Sequence, residues 1–237
     1  MKSEVAIITG SGRGIGAATA LSLAKRGCSL VLTSRTQEEL DQVKAEVSKI
    51  STVPVEVLAG DISDPTHVGA VFDKAECLGG VSILVNNAAF IRVQDFIEVT
   101  PEIWDETFNV NVRALYFTCR EAFQRMKLNG KKGSIINISS LGGIKGTLKF
   151  KGFTPYSVSK FAVTGLTECL AVEGKELGIR VNCIAPGAVN TRMLKEAAPF
   201  LSTSTNPNDI ANVITYLCDS SVSGAVNGAV IEIHSND

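Results

Sequence analysis

The chain has 237 residues, enough to bury a large core. It is 45% hydrophobic and 20% charged, a globular balance, and its 23 basic and 24 acidic residues leave a net charge of −1. With no basic excess, nucleic acid is not an expected partner, and no stretch is apolar over the length a membrane span needs.

Val5 to Ile8 is a continuous apolar run, which predicts a strand covered on both faces. The first strand begins by about residue 4, so no signal peptide is expected ahead of it. Gly10, Gly12, Gly14 and Gly16 follow, and then Ala17, Ala20, Leu21 and Ala24 recur at helical spacing. A strand, a glycine turn and a helix make a setting for a pyrophosphate. Glycine lets the backbone approach closely, and the free N–H groups of the helix start face the anion.

Ser29 to Thr33 reads as a second strand. Thr36 with Glu39 three residues on predicts a capping box, opening a helix to about Ile50. Val53 to Leu58 is a third strand, and Asp64-Pro65 starts the next helix. Ser82 to Val85 is a fourth strand, running into Asn86-Asn87-Ala88-Ala89. A helical pattern runs from Thr100-Pro101 to about Met126, a fifth strand from Ser134 to Ile138, and a Gly- and Lys-rich loop over 142–152. Helical periodicity returns from Tyr156 to Glu176. Ile179 to Ile184 is a sixth strand, 191–198 a short helix, Asn206-Pro207 caps and starts another that ends near Cys218, and Gly228 to Ile233 is a seventh strand. Strands alternating with helices predict a doubly wound parallel sheet with helices on both faces. No linker-like run divides the chain, so residues 1–237 are expected to form one domain.

The six cysteines, at positions 28, 77, 119, 169, 183 and 218, contain no CxxC pair. They are expected to be buried free thiols in a reducing cytoplasm, with no metal site. The two histidines, His67 and His234, offer little for a Ser-His-Asp triad.

Tyr156-Ser157-Val158-Ser159-Lys160 carries chemistry of its own. On a helix, Tyr156 and Lys160 share a face. An ammonium ~4 Å from a phenolate at an effective dielectric of ~20 attracts it by about 4 kcal/mol. That is roughly three pKa units before desolvation, enough to move a tyrosine toward general acid–base range. Ser139 and Ser140 follow a strand at the edge where open sheets bind ligands, and a hydroxyl there can polarise a carbonyl. Asn111 reads as an exposed helix residue, or as the holder of a kink or of a proton-carrying water.

Thr9-Gly10-xxx-Gly14-Ile15-Gly16, Asp61-Ile62, Asn86-Asn87-Ala88, Asn109-Val110-Asn111, Ser140, Tyr156-xxx-Lys160, Asn182 and Pro186-Gly187 occur in the order and rough spacing of one family. The chain resembles the short-chain dehydrogenase/reductases over nearly its whole length, in particular the 3-oxoacyl-reductase-like branch. The resemblance implies a Rossmann-type sheet of seven parallel strands and a catalytic tetrad of Asn111, Ser140, Tyr156 and Lys160. Tyr156 would be the acid in carbonyl reduction. Lys160 would lower its pKa and bind the nicotinamide ribose, Ser140 would polarise the carbonyl, and Asn111 would support a proton relay. Cofactor contacts are implied for Gly10, Ser11, Arg13, Gly14, Ile15 and Gly16 in the turn. Further contacts are implied for Asp61 and Ile62 at the adenine, Asn87 and Ala88 at the adjoining ribose or loop, and Pro186, Gly187, Val189 and Thr191 on the nicotinamide side.

The tip of the second strand reads Ser34-Arg35, with no carboxylate to repel a 2′-phosphate. With Arg13 and Arg35 as phosphate partners, NADP(H) is expected over NAD(H). The substrate is expected to be a ketone, diketone or 3-oxoacyl compound, or the matching secondary alcohol, with relaxed specificity in an open cleft. Family members usually form tetramers through the helices at 101–126 and 156–176. Here Leu115, Phe117, Phe123, Phe161, Leu166 and Leu170 suggest burial on more than one side, so a homotetramer or homodimer is expected.

Three features depart from the family pattern. Ala89 stands where glycine is usual, the loop between Ser140 and Tyr156 is long with Lys145, Lys149 and Lys151, and the Thr191 to Asn206 segment is short. Two rival readings exist. Ser157 to Lys160 matches the S-x-x-K of serine acyl-enzymes but lacks their partner motifs. A nicotinamide-binding regulator without turnover would share the fold.

Overall fold

A computed structural model of the chain describes residues 4–235. Seven parallel strands form one sheet in the order β3-β2-β1-β4-β5-β6-β7. They are β1 (Val5–Thr9), β2 (Ser29–Ser34), β3 (Val55–Ala59), β4 (Ile83–Asn86), β5 (Gly133–Ile138), β6 (Ile179–Pro186) and β7 (Val230–Ile233). Ile7 pairs with Val31 on one side and Leu84 on the other, so β1 is an interior strand, and its apolar run is covered on both faces, Val5 and Ile7 by one core and Ala6 and Ile8 by the other. The strand order reverses between β1 and β4, and the crevice that opens there at the carboxyl ends is where such sheets take ligands.

The helices are α1 (Gly14–Lys25), α2 (Gln37–Ser48), α3 (Pro65–Cys77), α4 (Pro101–Phe108), α5 (Ala114–Leu128), α6 (Thr154–Gly174), α7 (Arg192–Ala197), α8 (Pro207–Cys218) and α9 (Ser220–Ser223). One core joins α1, α2 and α8 to the sheet through Leu23, Leu40, Val47 and Ile214. The other joins α3, α5 and α6 through Phe72, Met126 and Val163. A buried polar chain ties the strands to this second layer. Thr118 Oγ1 donates to Asn86 Oδ1 at 2.7 Å, Asn86 Nδ2 to Asn137 Oδ1 at 2.9 Å, and Asn137 Nδ2 to Thr167 Oγ1 at 2.9 Å. A fully partnered network of this kind fixes register as well as packing.

Several local expectations are corrected. The capping box at Thr36 does not form: its side chain caps nothing, because Glu39 is drawn to Arg13, with Nη1 to Oε1 at 3.1 Å. A tertiary ion pair has replaced a local bond. The pattern over 100–126 is two helices joined by a π turn, Asn109–Arg113, so the kink reading of Asn111 holds. Helix α6 starts two residues before Tyr156, and α9 was not anticipated. Cys77 and Cys169 are exposed rather than buried, each on the outer side of a helix. Leu115 is buried against the core, and the large apolar side chains turned outward are Tyr116 and Leu128 on α5 and Val158, Phe161 and Val172 on α6.

Candidate active site

The glycine turn is held by contacts that leave no room for other residues. Gly10 has φ +63° and Gly14 φ +57°, the left-handed region that glycine tolerates. A Cβ on Gly16 would stand 2.3 Å from the Gly10 carbonyl oxygen. Asn87 pins the turn from beneath, its Nδ2 donating to Thr9 O at 3.0 Å and Gly10 O at 2.9 Å. Arg13, at the cap of α1, offers no side-chain cap, so the first N–H groups of this twelve-residue helix are unclaimed by side chains. Gly14 looks across open space to Thr191, whose Cγ2 would lie 3.4 Å from an added Cβ. This open cradle with free donors fits the pyrophosphate of a dinucleotide.

The sequence-predicted residues sort into two groups. Gly10, Arg13, Gly14, Ile15, Ser34, Arg35, Asp61, Ile62, Asn87, Ala88, Pro186, Gly187, Val189 and Thr191 all line one cleft of about 1120 Å³. Ser11 and Gly16 lie behind it. The Ser11 side chain is buried and donates to Thr33 O at 3.3 Å, and Gly16 serves close packing on Gly10. A carboxylate is also present at the β2 tip. Glu39 of α2 lines the cleft, and a Cβ on Gly12 would meet both its Oε2 and Ser34 Oγ at 2.9 Å. The spacing from Thr36 predicts Glu39 in a cap instead. The signal that would have found it is the Arg13–Glu39 charge pair, which only folding brings together.

At the other end, β5 delivers Ser139 and Ser140 to the cleft. Ser139 is buried and donates to Lys160 O at 2.8 Å, so it serves α6. Ser140 is half-buried and caps the short turn Leu141–Gly143, its Oγ accepting from Gly142 N at 3.1 Å. Lys160 is buried, and its Nζ donates to Ile138 O at 2.8 Å and lies 5.6 Å from the Tyr156 ring centroid. Burial pushes its ammonium down to about 8.

Tyr156 is half-buried on the cleft wall, and desolvation of the phenolate raises its pKa, opposed in part by the Ser140 hydroxyl. The expected lowering by Lys160 is therefore reversed in the free protein. The ammonium donates to the Ile138 carbonyl and is itself disfavoured, and burial of the phenol sets the direction.

Asn111 is buried in the π turn. Its Oδ1 accepts from Phe90 N at 2.7 Å, and its Nδ2 donates to Phe90 O and Ser159 Oγ, both at 2.9 Å. Ser159 Oγ in turn donates to Tyr156 O at 2.7 Å. Its amide thus steadies the first turn of α6. Among the described residues no non-glycine has positive φ, so Ala89 sits without strain. The segment after Thr191 is folded back and held by Asn190 N to Thr205 O at 2.8 Å and Thr203 Oγ1 to Ala188 O at 3.3 Å.

A family model described as short chain dehydrogenase matches residues 4–201. The chain belongs to the short-chain dehydrogenase family. It is similar to the (2S)-[(R)-hydroxy(phenyl)methyl]succinyl-CoA dehydrogenase subunit BbsD of Thauera aromatica, at 35% identity over 98% of this chain and 96% of that protein. A solved short-chain dehydrogenase/reductase from Mycobacterium marinum superposes with a TM-score of 0.91 at 28% identity, covering 98% of this chain and 94% of that one. An actinorhodin polyketide ketoreductase solved with NADPH superposes at 0.88 and 27% identity, over 98% of this chain and 96% of that one. The chain is thus an oxidoreductase of the NAD(P)-dependent kind.

Proposed function

We propose that residues 1–237 act as a single dinucleotide-binding catalytic domain that interconverts a carbonyl compound and its secondary alcohol with NADP(H). The observation that carries this is the convergence of Ser140, Tyr156 and buried Lys160 in the same cleft as an uncapped helix start. Bound nicotinamide supplies the hydride for the carbonyl carbon. Tyr156, held neutral by burial, gives its phenolic proton to the carbonyl oxygen, and Ser140 donates a hydrogen bond to that oxygen as charge develops. Lys160 stabilises the tyrosinate left behind and holds the nicotinamide ribose. Asn111 steadies the first turn of α6 through Ser159 and, in this reading, supports the proton relay its motif implies.

Arg13 and Arg35 line the cleft with Ser34, which supports NADP(H) over NAD(H). Glu39 competes for Arg13, so the preference rests mainly on Arg35. The solved ketoreductase carrying NADPH agrees with this reading. Among the described residues no helix is long and apolar enough to cross a membrane. A cytoplasmic location and a homotetramer or homodimer built on α4, α5 and α6 are part of the proposal, to be checked by fractionation and light scattering.

The deciding experiment presents NADPH or NADH, at low ionic strength, with ketones, diketones and acetoacetyl thioesters. Reduction with higher kcat/KM for NADPH supports the reading. NADH performing equally well overturns the cofactor preference alone. NADPH binding without turnover of any carbonyl would favour the nicotinamide-binding regulator.

A further inference from the structure

The outer half of the cleft is walled by rings. Phe150 and Phe153 both line it, with centroids 5.7 Å apart. Phe153 stands edge-on to Tyr156 at 6.4 Å, so the ring wall ends at the phenol proposed as the acid. On the outside, Phe200 meets Phe150 edge-on at 5.7 Å and fastens the segment after α7 to the loop before α6. Phe90, Ile91, Leu148 and Leu194 extend the apolar lining.

The two cations that line this end of the cleft, Lys149 and Arg192, have partners within the protein. Lys149 Nζ donates to Ile144 O at 2.7 Å and Thr147 O at 3.0 Å and sits 5.4 Å over the Phe161 ring. Arg192 is paired with Glu196 at 2.6 Å. The other lysine and arginines of the lining, Lys160, Arg13 and Arg35, belong to the tetrad and the adenine end.

We propose that this outer half is a ring-binding site, and that the substrate is a bulky, uncharged aromatic or fused-ring ketone rather than a small aliphatic ketone or a phosphate-bearing thioester. The proposal rests on the carbonyl-reductase reading above. Aromatic rings pack favourably edge-on and offset, and a neutral ring laid on Phe150 and Phe153 loses water without needing a counter-ion. The rings offer nothing to the phosphates of a coenzyme thioester, whereas a neutral ring uses their whole surface. Covering about 100 Å² of additional apolar surface corresponds to roughly 30- to 100-fold in affinity.

The test uses the NADPH-loaded protein with 2-tetralone, 2-butanone and acetoacetyl-CoA. The expected result is kcat/KM for 2-tetralone at least ~30-fold above that for 2-butanone, and above that for acetoacetyl-CoA. Phe150→Ala should collapse the tetralone-to-butanone ratio to within a few-fold, mainly through KM, and Phe150→Tyr should restore it. Calorimetry of 2-naphthol on the NADPH complex should show binding at least ~10-fold tighter than 2-butanol.

Butanone or the thioester matching tetralone, or a ratio unchanged in Phe150→Ala, overturns the proposal while leaving the reductase standing. If Phe150→Ala fails to fold, the wild-type ranking and the naphthol titration decide. If no carbonyl is reduced although NADPH binds, the reductase reading fails, and naphthol binding no tighter than butanol then overturns the ring site too.

Discussion

The glycine turn after β1 and the first turn of α6 sit on one sheet edge, yet they tolerate opposite kinds of change. In the turn, the geometry depends on atoms that are missing. Gly10 and Gly14 hold positive φ, and Gly16 meets the Gly10 carbonyl where a Cβ would be. At α6, the geometry depends on side chains held in a dry place. Lys160 is buried on the Ile138 carbonyl, and Tyr156 is kept neutral. The turn is therefore broken by adding a methyl group and the α6 site by removing a polar atom. The same need for a missing atom recurs beside α6 at Gly143, where a Cβ would lie 2.5 Å from the Lys160 carbonyl carbon, so the loop carrying Ser140 can lie against that helix.

The contrast is tested most sharply at the phenol. Tyr156→Phe removes one oxygen and should lower turnover by ~10²-fold or more while NADPH affinity by calorimetry and the melting temperature stay close to wild type. A near-native rate would end the assignment of Tyr156 as the acid.

The opposite change comes next. Gly16→Ala adds one methyl against backbone and should cost about 1–3 kcal/mol of stability in denaturant unfolding, with NADPH binding weakened alongside. Gly14→Ala has room for its Cβ and should cost about 1–2 kcal/mol, from its left-handed backbone conformation alone. Equal losses at the two positions would contradict the packing argument.

A smaller effect distinguishes the two halves by pH. Burial disfavours the Lys160 ammonium, so its proton leaves near pH 8 instead of in the usual lysine range. In the free enzyme kcat/KM for carbonyl reduction should then fall as pH rises through about 8, and Lys160→Met should lose that limb along with most activity. A wild-type profile flat to pH 10 would remove the role given to the charge.

The smallest expected effect lies at the β2 tip. Glu39→Gln frees Arg13 and should lower KM for NADPH by no more than about fivefold, since an exposed ion pair is worth ~0–1 kcal/mol. Arg35→Ala should raise that KM far more than the KM for NADH, and high salt should narrow the difference. A Glu39→Gln variant that favoured NADH would show that Glu39 repels nothing at this position.

Much of the fold was legible because it is written in short-range pattern. The apolar run Val5 to Ile8, the four glycines and the recurrence from Ala17 to Ala24 fix a strand, a turn and a helix without reference to anything distant. The same locality puts Tyr156 and Lys160 on one helix face. Only the tertiary structure decided what those side chains meet. Glu39 left its predicted cap for Arg13, 26 positions away. Ser11 turned from the cleft to Thr33, and Asn111 reached Phe90 and Ser159 through a π turn that no spacing announces. The direction of the Tyr156 shift also changed sign, because spacing sets which charge is near while solvation is set by every element packed around the group. Periodicity is a property of neighbours in the chain. The partner of a carboxylate and the dryness of a phenol are properties of neighbours in space.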